Sequence, residues 1–419
     1  MLECLERGQQ EGHGLYEWDV LRMQSSVIFQ IASADRPVTA VVGRRDRTRE
    51  ALTRLKPILQ ADPMLQRRFR KLVGFANGVR TSEYHLTNAC NIRCEGCWFF
   101  EYGHDRETTE VTDLSAWESF VLSEREERRI TTALIIGGEP TLFPERIRSF
   151  VRHMKFVTVS SNGLQKLPRD GFENVAIGLT LFGGGPLDDQ LRAIKVNGRR
   201  FDGLFDRALD NYHEDSRAAF VFALTEDGIP YIEDTVRRIR DNGNLVSFNF
   251  YSRYGAADPA AGVLQSELLA EALRVRELYP DTVLSHPYYI RTLITGRSHW
   301  DSFGYQNCPS ISESHPAHAA RLENGNPTLR SFNAWSADLK TIKFCCTGGH
   351  CNGCRDSQAV FSWLLVSMDR FCSSREEFIT WLEIAESYWA QFVWSPIHRL
   401  AEEAETASTE TLEVVDAIA

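Results

Sequence analysis

The segment CNIRCEGCWFF places three thiols, Cys90, Cys94 and Cys97, at C-x3-C-x2-C spacing. Three thiolates leave one corner of a tetrahedral structural zinc site unfilled. The same three can each hold one iron of a [4Fe–4S] cluster, which leaves the fourth iron without a protein ligand and open to a small molecule. Spacing alone also admits zinc completed by His85 or His104, or buried thiols with no metal. A second segment, CCTGGHCNGCRD, carries Cys345, Cys346, Cys351 and Cys354. Its spacing suits an auxiliary iron–sulfur cluster, with Cys308 as the remaining ligand. A structural zinc knuckle and a metal-free thiol loop are the alternatives, and His350 reads as a loop residue. Cys4 and Cys372 stand apart, the latter among helices as a core thiol.

These thiols are expected to be reduced. The N-terminal stretch is polar and lacks the apolar core of a secretory signal. No apolar run approaches the roughly 18 residues that a membrane span requires. A cytoplasmic location follows, and there ten cysteines point to metal more than to disulfides. The formal charge is −10, which argues against general nucleic-acid binding. The charge is uneven: Arg44 to Lys71 carries ten Lys/Arg against three Asp/Glu, leaving −17 for the remainder. That basic segment is either a solvated helical face or a patch that meets an anionic substrate or a partner.

The elements that must position the cysteines alternate. Strands are expected at SEYHLT, TTALIIGG, KFVTVSS, NVAIGLTLF, RAAFVFALT and LVSFNFYS. Between them lie helical patterns: TDLSAWESFVL capped by Asp113, PERIRSFVRHM with Pro144 in its first turn, FDGLFDRALDNY, and IEDTVRRIRDNG closed by Gly243. Strand–helix alternation implies parallel βα units. Six units cannot close an eight-stranded barrel, so a partial barrel or a doubly wound sheet is expected. Two short strands and basic helices broken at Pro57 and Pro63 form an N-terminal subdomain over 1–79. The βα units occupy 80–255. A cysteine-rich, helical extension follows over 256–395, with capping boxes at Ser373/Glu376 and Ser374/Glu377. Residues 396–419 read as a flexible acidic tail.

In this order of elements, the cysteine loop after the first strand resembles that of the radical S-adenosylmethionine (radical SAM) enzymes. Gly96 stands where many members carry an aromatic residue, and Trp98 follows the third cysteine. GGEP, Gly137, Gly138, Glu139 and Pro140, ends the second strand, where the family binds the amino group of the SAM methionine. Glycines allow such close backbone approach. In SSNG, Ser161 and Asn162 match positions that hydrogen-bond the ribose. In LTLFGGGPLDDQLR, Thr180 and Arg192 match a serine and a carboxylate-pairing arginine, while Phe182 departs from the pattern. The resemblance covers roughly residues 80 to 252. It implies a partial (β/α)6 TIM-like barrel, a [4Fe–4S] cluster, SAM, and reductive cleavage of SAM to a 5′-deoxyadenosyl radical. The C-terminal extension is similar to a SPASM or twitch region, or to the tail of adenosylhopane synthase-like enzymes.

The resemblance implies modification of a small metabolite in a biosynthetic pathway, with an electron donor such as flavodoxin or ferredoxin. A maturase acting on a peptide substrate is the alternative, its N-terminal residues holding a leader. A non-catalytic iron–sulfur or zinc scaffold is the reading from another class. Tyr84, Trp98, Tyr251 and Tyr254 lie near strand ends or the cysteine loop and are expected to serve packing.

Overall fold

The computed structural model describes residues 44–251, 264–299, 312–313, 331–343 and 355–391. The N-terminal strand pair, Tyr254, Cys4, the C-terminal tail and the whole second thiol group lie outside these residues.

Two helices open the described chain: α1 (Arg44–Ala61) and α2 (Pro63–Gly78). Pro57 does not break α1, contrary to the expectation from sequence. Ala51, Leu55 and Leu59 are buried along its length, and that burial outweighs the hydrogen bond the proline forgoes. Pro63 does mark a boundary. It sits in the first turn of α2, whose N-cap Asp62 accepts from the Leu65 amide at 2.9 Å. Among the described side chains, several basic ones of these helices find partners within the chain. Arg68 binds Glu386 through two bonds of 2.6 and 2.5 Å, and Arg54 donates to the Asp369 carbonyl at 2.9 Å. Phe69 packs edge-on against Phe378, 5.2 Å away.

The six expected strands form: β1 (Thr81–His85), β2 (Thr132–Ile136), β3 (Phe156–Ser161), β4 (Val175–Phe182), β5 (Ala218–Leu224) and β6 (Leu245–Phe250). All neighbouring pairs are parallel, and their order follows the sequence without reversal. A doubly wound sheet reverses its strand order at a switch point; this sheet does not. It is singly wound, and it is rolled. A flat sheet at about 4.8 Å per strand would hold the ends of β1 and β6 roughly 24 Å apart. Yet Tyr251, directly after β6, donates to the Glu95 carbonyl in the loop after β1 at 2.9 Å. The architecture is the expected partial barrel. Two very short strands extend it beyond β1: β7 (Ala334–Trp335) pairs with β1 and β8 (Ile342–Lys343) with β7. Two residues each are too few for any periodic signal.

The intervening helices are α3 (Trp98–Glu101), α4 (Leu114–Glu126), α5 (Pro144–His153), α6 (Pro186–Arg192), α7 (Leu204–Asn211) and α8 (Ile232–Asp241). Asp113 caps α4 by accepting from the Ser115 amide, and Trp117 and Val121 face the core as their spacing predicts. Next come α9 (Gln265–Leu278), α10 (Pro287–Thr295), α11 (Ser357–Val366) and α12 (375–391). At the expected capping box Ser374/Glu377 the N-cap half forms: the Glu377 amide donates to Ser374 Oγ at 3.1 Å. Cys372 is buried in the core, its thiol donating to the Met368 carbonyl.

Register fixes what faces the hollow of the arc. Ile136 lines the cleft at the strand ends, and residues paired with it share its face. The register joins Glu83, Leu134, Thr158 and Ala176; then His85 and Ile136, with Ser160, Gly178, Ala219 and Leu245; then Thr180, Val221 and Ser247; then Phe182, Ala223 and Asn249. Closed parallel barrels fill such rows with bulky aliphatics. Here most of the side chains are small or polar. Tyr84 points the other way, its hydroxyl bonded to Glu124 at 2.8 Å in the helical layer, as a packing residue.

Candidate active site

The cysteine loop is tied down from every side. At its root, Glu110 accepts from the Thr87 hydroxyl and the Asn88 amide, both at 2.8 Å, and pairs with buried Arg146. At its middle, Ile92 bridges Lys195, and the amides of Arg93 and Glu95 donate to Ile194 and Leu191, each at 2.7 Å. Asn162 donates to Asn91 at 2.6 Å. Cys90 and Cys94 pack against a small apolar cluster of Ile92, Ala193 and Leu204. Gly96 has φ +71°, and a Cβ there would lie 2.3 Å from the Tyr251 hydroxyl. The positive φ and the seated Tyr251 ring favour glycine before the third cysteine of this chain, where many members of the resembled family carry an aromatic.

All three thiols line one cleft with the ends of β2, β3 and β4. Its empty volume is about 760 Å³, part of it open to solvent. Burial pushes the Cys90 and Cys94 thiols up to about 12 and raises Cys97 as well. Thiols so desolvated become thiolates only beside strong positive charge, which a bound metal supplies. Among the described residues no group of three or more His, Cys, Asp or Glu is spaced to hold a metal ion. A [4Fe–4S] cubane takes each thiolate on a different iron and so spreads them wider than one ion would. Neither histidine completes a zinc site with these thiols. His85 sits behind Trp98 and Phe99, and His104 Nδ1 faces Glu107 and Lys343. Three thiols on an open cleft therefore fit a cluster with one unligated iron.

The other expected site residues gather at this cleft: Gly137, Gly138, Glu139, Ser161, Asn162, Thr180 and Arg192 line it. Their polar groups, however, work largely on one another. The amides of Gly138 and Glu139 donate to Thr87 and Ala89 at 2.9 and 2.8 Å, so GGEP is stitched to the cysteine loop. Glu139 is buried, which raises its carboxyl, and it accepts four hydrogen bonds. These come from the Thr141 amide (3.1 Å) and hydroxyl (2.7 Å), the Ser161 hydroxyl (2.9 Å) and the Asn162 amide (2.8 Å). It clasps the end of β2 to the end of β3. Pro140 opens a 3-10 turn beneath that clasp. Ser160, which the sequence reading passed over, is the β3 residue exposed to the cleft; alternation along β3 would have identified it.

Arg192 is buried on α6, with its Nη1 donating to Asp188 at 2.9 Å and to the Thr180 carbonyl. Burial works against its charge, but Asp188 and the Cys94 sulfur hold it protonated. Its Nε has no partner. Phe182, in place of an acidic residue, meets Arg192 through its ring at 5.4 Å and Tyr251 at 4.9 Å. Cys308, Cys345, Cys346, Cys351 and Cys354 all lie outside the described residues.

No protein-family model matches this chain, and neither does any curated protein. Among solved structures, native anSMEcpe with bound AdoMet is similar at 12% identity and a TM-score of 0.43, covering 81% of this chain and 100% of that one. The same protein with AdoMet and a Cp18Cys peptide gives 12% identity and 0.43 over 78% and 99%. The FeFe-hydrogenase maturase HydG from Carboxydothermus hydrogenoformans gives 11% identity and 0.33 over 93% and 100%.

Proposed function

We propose that this chain is a radical SAM enzyme acting on a small metabolite. The observation that carries the reading is the placement of Cys90, Cys94 and Cys97, without a fourth ligand, on a cleft at the ends of parallel strands. Cys90, Cys94 and Cys97 would hold the cluster. When bound, cluster and SAM together would supply one-electron cleavage of the sulfonium and a 5′-deoxyadenosyl radical. The protein's share is positioning and exclusion of water. Arg192 is charge-balanced by Asp188, but its Nε, unpartnered among the described residues, leaves one N–H for a carboxylate on the ligand. Ser160 and Thr180 offer hydroxyls on the interior face. Glu139 fixes the two turns that shape the ligand's floor, and Phe182 and Tyr251 close one side. Flavodoxin or ferredoxin would be the electron donor. A small-molecule substrate, in preference to a peptide, is supported by the pairing of the basic N-terminal helices with C-terminal partners such as Glu386, which occupies cations a leader could use. We also assign an auxiliary metal site to Cys308, Cys345, Cys346, Cys351 and Cys354.

One variant tests both metal assignments. Replacing Cys90, Cys94 and Cys97 by Ala should abolish 5′-deoxyadenosine formation with SAM and dithionite after anaerobic reconstitution. Roughly four irons retained by that variant supports an auxiliary cluster; about one zinc means a structural knuckle. Undiminished 5′-deoxyadenosine would defeat the proposal.

A further inference from the structure

The interior face of β1 carries polar side chains for which the cleft's chemistry has no use. Glu83 and His85 are paired in register with Leu134 and Ile136, and Ile136 lines the cleft. Both therefore point into the hollow of the arc. They are 5% and 1% exposed. Glu83 Oε1 and His85 Nε2 are 3.5 Å apart, too poorly aligned to form a hydrogen bond. Among the described residues neither atom has another partner, nor do His85 Nδ1 and the Nε2 of buried His104. The His85 ring packs 6.2 Å from that of His104 and 5.6 Å from Trp98, whose other side borders the cleft. A buried polar atom left without a partner destabilises the fold. Four on one wall are a standing cost that packing does not explain, and such exceptions mark functional sites.

We propose that Glu83, His85 and His104 form a binding site for an uncharged, hydroxyl-bearing group of the substrate. The proposal rests on the reading of the adjoining cleft as the active site. Burial pushes the Glu83 carboxyl up to about 8 and the His85 imidazole down to about 3, and it lowers His104 too. Near pH 7 all three are neutral. The nearby Lys343 ammonium is cancelled by Glu107. The other acidic neighbour, buried Asp356, has its carboxylate raised and is occupied in capping α11. An ion entering here would lose its hydration, and the anion left nearby, Asp356, already accepts the Gln358 amide at the start of α11. A hydroxyl both donates and accepts, and so do a carboxylic acid and a neutral imidazole. Trp98, which packs on His85 and lines the cleft, is the side chain a group entering from the cleft must displace.

The test compares melting of the reconstituted full chain with its His85→Phe variant, alone and with glycerol, acetate or methylammonium. Phenylalanine fills the same space without unmet nitrogens, so the variant should melt higher by roughly 2 °C. Glycerol should then raise the wild type more than the variant, the difference separating this site from the general effect of polyols. Acetate and methylammonium should act on both alike. A variant that melts lower, equal response to glycerol, or discrimination by either ion overturns the proposal. If His85→Phe fails to fold, Glu83→Met serves for the same comparison, with the same signs expected. The melting experiment needs no turnover. Wild-type protein that cleaves no SAM would defeat the earlier reading alone.

Discussion

Gly138→Ala tests how the GGEP turn works. The φ of Gly138 lies outside the left-handed region, so alanine is conformationally allowed and the whole cost is steric. The added Cβ would lie 1.9 Å from the Ala89 carbonyl oxygen, 2.5 Å from its carbon and 3.2 Å from the Cys90 amide. These are backbone atoms and cannot rotate away. To restore even 3.0 Å, the two segments must part by at least 1.1 Å. That opens the bonds from Gly138 to Thr87 and from Glu139 to Ala89. Overpacking costs about 1–3 kcal/mol, and two backbone bonds add about 0.5–1.5 kcal/mol each. A total of about 2–6 kcal/mol disfavours the native loop by roughly 30-fold or more. Because Cys90 is the residue displaced, the loss should fall on iron loading before SAM affinity is even measured. The assay is iron and acid-labile sulfide per chain after anaerobic reconstitution, with melting temperature alongside. Full iron content at an unchanged melting temperature would refute this account and return Gly138 to a role in ligand approach alone.

Gly74→Ala is the matched control. Gly74 lies inside α2 with nothing within 4 Å of an added Cβ, so the change should stabilise by about 0.5–1 kcal/mol in urea unfolding and leave iron unchanged. Asp188→Ala should destabilise by about 3–5 kcal/mol, since it leaves the buried Arg192 charge uncompensated and the Phe182 amide unmet. Denaturation midpoints check this, and Asp188→Asn should cost less. Glu83→Gln probes the buried carboxyl through pH. The folded value of about 8 lies above the ordinary 4.5, so the native state binds a proton the unfolded state releases, and stability falls as pH rises between the two. The melting advantage of Glu83→Gln over wild type should therefore grow from pH 5 to pH 8; a flat difference would contradict burial of an acid there.

The local signals were in the sequence. All six strands lie where the sequence placed them: strands covered on both faces read as apolar runs, as in β2 and β5, whereas β1 (TSEYH) was placed by its position before the cysteine loop. Asp113, Pro144 and Gly243 mark helix ends through chemistry that acts within a turn. Cys90, Cys94 and Cys97 were legible because eight residues of one loop hold all three thiols. Pro57 misled, since local propensity cannot weigh the tertiary burial of Leu55 and Leu59. The rest depended on long-range geometry. Whether the sheet is singly or doubly wound is a matter of which strand pairs with which, and only the β6-to-β1 order decided it. Glu139 reads as a ligand for an ammonium, yet its four donors come from beyond its own strand, including Ser161 and Asn162, more than twenty residues away in the chain. The unmet atoms of Glu83 and His85 could not be read from sequence either. A polar residue in an apolar strand is satisfied or orphaned according to what packs over it, and His104, Trp98 and Lys343 reach that place only when the chain is folded.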